Sequence, residues 1–275
     1  MKIISNYSVT QELLKKYDLF AKKRLGQNFI IDPSVVKKIA RDSGADSNTV
    51  VLEIGPGLGA LTQQLSKVSK EVISIEIDTD MVEILNNELD CDNCTIIHQD
   101  FLEYDLNQLQ DQQELVVCAN VPYYITTPIL FKLIESDIHF KQITMMVQKE
   151  LGQRLVAQVG SSQYNALSVI ISMLFDYSVV MNVDKRCFYP MPKIDSIVVA
   201  LKTKELDKLF DYERFFEFVK KCFTQRRKTL VNNLKEWGNV SPILEELGYS
   251  QTIRPQELTP SQFKEIYEKE SLWKT

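Results

Sequence analysis

A chain of 275 residues with 44% hydrophobic and 25% charged residues has the composition of an ordinary soluble globular protein, long enough for one large domain and a smaller one. The longest apolar run, Leu167 to Phe175, is far too short to cross a bilayer, and the polar start MKIISNYSVTQELLKKYDLF has no signal core, so a cytoplasmic protein without a membrane partner is expected. The net charge of −5 speaks against a polyanionic partner on average. Its distribution speaks for one: residues 1–48 carry 9 Lys and Arg against 5 Asp and Glu, residues 49–114 carry 2 against 14, and residues 214–235 carry 7 against 1. An acidic middle between basic flanks suggests a small cationic ligand in the middle and a polyanion gripped by both ends, with solubilising surface charge as the plain alternative.

Along the chain, Asp32-Pro33 opens a helix with Val35, Val36, Ile39 and Ala40 on one face. TVVLEIGPGLGALTQQL then reads as a buried strand, a glycine turn and a helix from about Ala60; EVISIEID is a second strand and MVEILNNEL a helix. Three further strands, CTIIHQDF, ELVVCANV and QITMMVQ, follow with helices between them. The strands are continuous apolar runs alternating with helices, which predicts an α/β fold with a mostly parallel sheet covered on both faces. LSVIISMLF predicts a buried helix, and YSVVMNV and SIVVALKTK an antiparallel, hairpin-like end to the sheet. From Glu205 onward the pattern is helical, with a capping box at Thr259-Pro260-Ser261-Gln262. The expected division is therefore a catalytic domain over 1–204 and a small all-helical domain over 205–275.

Five cysteines are an odd number, and Cys91 and Cys94 form a lone C-x-x-C with no second pair or histidine at metal-site spacing. Ordinary free thiols and no metal are expected. His98 and His139 are the only histidines, leaving little for histidine-based catalysis.

Three strand ends carry chemistry. Gly55, Gly57 and Gly59 follow the first strand as G-x-G-x-G, which is not the dinucleotide spacing G-x-G-x-x-G, and Glu53 beside the turn suits a positively charged ligand rather than a pyrophosphate. Glu76 ends the second strand, where a carboxylate can hold ribose hydroxyls, and Asp100 ends the third, positioned to accept from an adenine amine. In a parallel sheet all three share the carboxyl edge. Ribose, adenine and a cationic tail together describe S-adenosylmethionine; NAD, and glycines and acids that serve only packing and capping, are the alternatives. At the fourth strand end stands Asn120-Val121-Pro122-Tyr123, with neither acid nor base. An exocyclic amine conjugated to a nucleobase needs its N–H groups held rather than deprotonated, which the Asn120 oxygen and the Pro122 carbonyl could do while Tyr123 stacks on an extruded base. An Asx turn before proline is the alternative there.

NVPYYITTPI resembles the N-[LIV]-P-Y-x-[IV]-[ST] motif of ribosomal RNA adenine N6-dimethyltransferases, and KRLGQNFIID, VLEIGPGLGALT, IEID, QDFLE and FYPMPKIDS resemble that family's other signatures in order. FTQRRKTLVNNL is more similar to the bacterial small-subunit branch than to the Erm-type large-subunit methylases, while Tyr124 stands where both commonly have Asn. The resemblance implies a Rossmann-like, class I S-adenosylmethionine-dependent methyltransferase sheet, mostly parallel with one antiparallel strand, whose N-terminal helical segment (1–48) covers the cofactor. It implies cofactor contacts by Gln27, Asn28, Ile30, Gly55, Gly57, Glu76, Ile77, Asp100, Phe101 and Asn120. It also implies a target-base site of Asn120, Pro122, Tyr123 and Phe188, and RNA contacts by Lys22, Lys23 and Arg24 and by Arg226, Arg227 and Lys228 on a C-terminal helix. The implied activity is dimethylation of two adjacent adenosines in the 3′-terminal hairpin loop of 16S rRNA in an immature 30S particle, by a monomer. An Erm-type enzyme acting on 23S rRNA and a non-catalytic 30S assembly factor are the alternatives.

Overall fold

A computed structural model of the chain describes residues 2–22 and 25–272, with side chains to residue 269. It divides into two compact units, Met1–Gly152 with Ser178–Thr203, and Gln153–Tyr177 with Lys204–Thr275. In chain order the elements are α1 (Tyr7–Lys16), β1 (Phe29–Ile30), α2 (Pro33–Asp42), β2 (Val50–Ile54), α3 (Thr62–Leu65), β3 (Glu71–Glu76), α4 (Thr79–Glu88), β4 (Cys94–His98), β5 (Leu115–Asn120), α5 (Thr126–Ile134), β6 (Gln142–Gln148) and α6 (Lys149–Leu155). There follow α7 (Ala166–Leu174), β7 (Phe175–Val183), β8 (Phe188–Tyr189), β9 (Ser196–Thr203), α8 (Tyr212–Cys222), α9 (Leu230–Leu234), α10 (Ser241–Glu246) and α11 (Pro260–Leu272).

Seven strands form one sheet in the order β4-β3-β2-β5-β6-β9-β7. The first five run parallel, and β9 lies antiparallel to β6, with Gln148 opposite Ser196. Every residue of β2 is buried, as are Leu115–Ala119 of β5, whereas the edge strand β4 has only half-buried and exposed positions. Burial on both faces is why the central strands read as unbroken apolar runs. The registers Ile54↔Ile75, Ile54↔Ala119 and Glu76↔His98 bring the strand carboxyl ends to one edge. Between β4 and β5 there is a 3₁₀ turn at Leu106–Leu109 rather than the expected helix.

The N-terminal segment is not wholly helical. Asp32 caps α2, its Oδ1 accepting from Ser34 N at 2.9 Å, but Phe29 and Ile30 pair antiparallel with Tyr189 and Phe188. The apolar face of α1 (Leu13, Leu14) packs in one cluster with Phe29, Leu58, Met81 and Ile84, which fastens this segment over the glycine turn and α4. Cys91 and Cys94, expected as free thiols, are disulfide-bonded; Cys118, Cys187 and Cys222 are free.

The second unit differs from the expected division at 204, because residues 153–177 belong with the C-terminal helices. Tyr164 explains this: its side chain is fully buried, its hydroxyl donates to Leu258 O at 2.9 Å and its ring meets Phe223 edge-on at 6.0 Å. The following helix α7 starts at an Asn165–Ser168 capping box and buries Val169, Ile170 and Ile171. Thr259 and Gln262 cap α11 reciprocally, as expected, with Thr259 N to Gln262 Oε1 at 2.9 Å and Gln262 N to Thr259 Oγ1 at 3.2 Å. No helix among the described residues is long and apolar enough to cross a membrane.

Candidate active site

The turn after β2 bends through positive φ at Gly55 (69°), Gly57 (56°) and Gly59 (85°), a region that side chains other than glycine rarely occupy. Space is tight as well: a Cβ on Gly55 would lie 3.1 Å from Val121 Cγ1. The glycine turn and the Asn120–Tyr123 turn are therefore in direct contact. Glu76, at the end of β3 and 6% exposed, accepts from Gly57 N at 3.0 Å and from Asp78 N at 2.9 Å. Burial raises its pKa, and the two backbone donors oppose that shift. Asp78 is itself buried and caps α4; Gln27 Nε2 donates to its Oδ2 at 2.6 Å and Lys22 Nζ lies 2.5 Å from its Oδ1. Lys22 N donates to Gln27 Oε1 at 2.8 Å, closing the network. The N-terminal segment is thereby tied to the corner that holds Glu76.

One cleft joins these groups. Gln27, Asn28, Ile30, Gly55, Gly57, Glu76, Ile77, Asp100, Phe101, Asn120, Pro122, Tyr123 and Phe188 all line it, so residues from six separate stretches of chain converge. Asp100 Oδ1 accepts from Leu102 N at 2.8 Å, which folds the loop after β4. Tyr123 Oη and Ser196 Oγ are hydrogen-bonded at 2.7 Å, and burial raises the tyrosine pKa. The Asn120 carboxamide has no hydrogen-bond partner among the described residues. No lysine, arginine or histidine among the described residues lines the cleft.

Five expectations are corrected or sharpened. Glu53 is not an open anion beside the turn: it is 1% exposed, Ser74 Oγ donates to it at 2.8 Å, and burial raises its pKa to about 7. The Pro122 carbonyl is already engaged, accepting from Ile125 N at 3.1 Å and Thr126 Oγ1 at 3.4 Å as α5 begins. The neighbouring Val121 carbonyl accepts no hydrogen bond among the described residues. Lys22 faces Asp78 and Asp80, at 2.5 and 2.6 Å, rather than standing free for a polyanion. Phe188 is only 3% exposed and packs in a core cluster with Ile30 and Val36, so it is a cleft wall rather than an open stacking face. Arg226, Arg227 and Lys228 are exposed, but on the turn between α8 and α9 and not on a helix. Asn233 builds that turn, accepting from Gln225 N at 2.8 Å and donating to Gln225 O and Thr229 O at 3.2 Å each. Lys23 and Arg24 lie outside the described residues.

Asp78, Val121, Ser196 and Gly26 were not singled out from the sequence. Asp78 had a signal in the acid-rich IEIDTD, where an N-cap precedes a helix. Gly26 had only its φ of 59° to reveal it: a Cβ there would lie 3.1 Å from Pro122 Cβ. Tyr124, left open by the sequence, is 66% exposed.

Comparison with known proteins agrees with this geometry. The family model described as ribosomal RNA adenine dimethylase matches residues 19–254. A Staphylococcus aureus protein, ribosomal RNA small subunit methyltransferase A, is 40% identical over 97% of this chain and 95% of its own. Among solved structures, a dimethyladenosine transferase from Plasmodium falciparum superposes with a TM-score of 0.78 at 28% identity, covering 88% of this chain and 98% of that one. The 23S rRNA methyltransferase ErmE follows with a TM-score of 0.69 at 26% identity, covering 89% and 100%. With its sheet order, its cleft and a match across most of its length, the chain belongs to the ribosomal RNA adenine dimethylase family.

Proposed function

We propose that this chain is an S-adenosylmethionine-dependent adenine N6-dimethyltransferase of small-subunit ribosomal RNA. Its substrate is a pair of adjacent adenosines in the 3′-terminal hairpin loop of 16S rRNA, presented by an immature 30S particle. One observation carries the reading: a cleft lined by Glu76, Asp100 and the Asn120–Tyr123 turn, without a basic side chain among the described residues. A dinucleotide pyrophosphate would meet no positive charge from the described lining residues, whereas a ligand bearing an ammonium and a sulfonium meets carboxylates. The name of the Staphylococcus aureus relative favours the small subunit over the large one.

The residues present fit that cofactor. Glu76 is fixed by two backbone donors and can accept from ribose hydroxyls; Ile77 and Phe101 flank it with apolar surface, and Asp100 can accept from the adenine amine. Glu53 Oε1 is a buried oxygen without a hydrogen-bond partner in the wall of the same cleft. Gln27, Asn28 and Ile30 line the same cleft. When bound, the cofactor supplies a methyl group made electrophilic by its sulfonium.

The protein's part is to present the amine. The N6 lone pair of adenine is delocalised into the ring, so removing a proton before attack gains little. The Asn120 carboxamide oxygen and the Val121 carbonyl each accept one N–H, which draws the nitrogen towards tetrahedral geometry and aims its lone pair. Tyr123 stacks on the base, its ring held by Ser196. Holding nucleophile and methyl in line supplies the remaining advantage, and the proton released from nitrogen passes to solvent. The second unit grips RNA phosphates with Arg226, Arg227 and Lys228.

Incubation with methyl-labelled S-adenosylmethionine and separate 30S and 50S precursors tests this. Label in 16S rRNA alone is expected; label only in 23S would overturn the choice of substrate. Asn120→Ala should abolish transfer while 30S binding stays near normal, and undiminished transfer would remove Asn120 from the mechanism.

A further inference from the structure

Lys132 lies in the last turn of α5, the helix that begins at the target-base turn. Its Nζ donates to three main-chain carbonyls of the loop after β4: Phe101 O at 2.8 Å, Leu102 O at 2.7 Å and Tyr104 O at 2.6 Å. The ammonium also lies 5.3 Å from the centre of the Phe101 ring. An ammonium has three protons, and this loop takes all of them. Acidic side chains stand near, at Asp100, Glu103 and Asp105, yet no carboxylate of the described residues comes within ion-pair distance of Lys132. The same loop is closed from inside, with Glu103 N and Tyr104 N donating to Asp100 O at 3.0 and 3.1 Å. It presents Asp100 and Phe101 to the cleft.

We propose that Lys132 is a positioning residue that holds the adenine side of the cofactor pocket in register with the helix carrying the target-base turn. The inference rests on the cofactor reading above. A charged donor is suited to this task because hydrogen bonds from ionised groups are about twice as strong as neutral ones. Loss of its three donor contacts leaves three carbonyls to solvent and the loop free to shift. Asp100 and Phe101 keep their own side chains in such a variant, so a loss at the adenine subsite that comes with exposure of the loop amides reports loop position.

The test compares wild type, Lys132→Met and Lys132→Arg by calorimetric titration with S-adenosylhomocysteine and with 5′-methylthioadenosine, which carries the nucleoside without the amino acid. Lys132→Met should weaken both by a common factor of about ten or more, the loss expected for charge-assisted bonds. Lys132→Arg, which keeps donors, should recover part of it. The KM for S-adenosylmethionine should rise while kcat at saturation stays within about threefold, and the amides of Leu102 to Tyr104 should lose hydrogen-exchange protection in the Met variant. Unchanged affinity for both probes in a folded Lys132→Met protein would overturn the proposal, as would a loss confined to kcat. If wild type binds neither probe, the cofactor reading fails and this inference falls with it.

Discussion

Tyr123 and Ser196 stand 73 residues apart in the chain and share a 2.7 Å hydrogen bond between their hydroxyls. The contact exists because β9 runs antiparallel to β6, which sets Ser196 opposite Gln148 at the sheet edge where the cleft opens. Ring and hydroxyl therefore have separable duties. Tyr123→Phe keeps the stacking face and should hold methylation within about fivefold, costing about 1 kcal/mol of stability as Ser196 loses its partner. Tyr123→Ala removes the face, worth about 1–3 kcal/mol per stacked base, and should lower kcat/KM for RNA by about 5- to 150-fold. Steady-state kinetics on 30S particles decides; equal losses in both variants would assign the work to the hydroxyl.

Glu53 makes stability depend on pH. Its carboxyl is desolvated, and its pKa rises from the usual 4.5 to about 7, only partly offset by the Ser74 hydroxyl that donates to it. The folded protein thus holds this proton more tightly than the unfolded chain does. The stabilisation is complete below about pH 4.5, declines as pH rises and is lost above about 7, an effect of roughly 2–3 kcal/mol between pH 5 and 8. Glu76, raised by burial as well, adds in the same direction. Denaturant titration at both pH values should show a smaller decline for Glu53→Gln, which cannot titrate, than for wild type. Parallel declines would rule out Glu53 as a source.

These two residues mark what was legible in the sequence. Glu53, Glu76, Asp100 and Asn120 could be assigned to one crevice because apolar runs alternating with helices imply parallel strands, whose carboxyl ends share an edge. Their hydrogen-bond states could not be assigned: nothing in the string VLEIG says that Glu53 would be enclosed against Ser74. Pairings over long sequence separations stayed hidden for the same reason, as with Ile30 against Phe188, where two residues of each strand are too short to leave a periodicity. The basic cluster was misplaced onto a helix because Phe215, Phe218, Val219 and Cys222 set a helical period that invites extension, while the side chain that holds the turn after it, Asn233, comes later in the chain.

The two basic flanks should respond differently to salt. Arg227 and Lys228 are exposed without a partner among the described residues, and Arg226 donates only to Ser161 O at 3.1 Å, so all three can neutralise phosphates. Replacing the three with Ala should flatten the log–log salt dependence of 30S or rRNA binding by about 2–3 units. Lys22→Met should leave that slope unchanged, since its charge already faces Asp78 and Asp80, and instead destabilise the fold by about 1–3 kcal/mol by removing a donor from a buried carboxylate. Filter binding across salt concentrations, with thermal melts beside it, separates the two. A lowered slope for Lys22→Met would return that residue to the RNA interface.

The contact between the glycine turn and the target-base turn predicts that two similar substitutions have dissimilar effects. At Gly55 an alanine meets both a φ of 69° and Val121 Cγ1 at 3.1 Å; at Gly57 it meets a φ of 56° but only ordinary contact, 3.5 Å from the Phe29 ring. Both should lose about 1–2 kcal/mol through left-handed backbone alone. Gly57→Ala disturbs the amide that donates to Glu76, so its further cost should fall on affinity for S-adenosylmethionine. Gly55→Ala must push Val121, whose carbonyl is the proposed second acceptor for the amine, so its further cost should fall on kcat with cofactor saturating. Single-turnover methylation at saturating cofactor measures this directly, and a wild-type rate for folded Gly55→Ala would mean that the Val121 carbonyl does not act on the substrate.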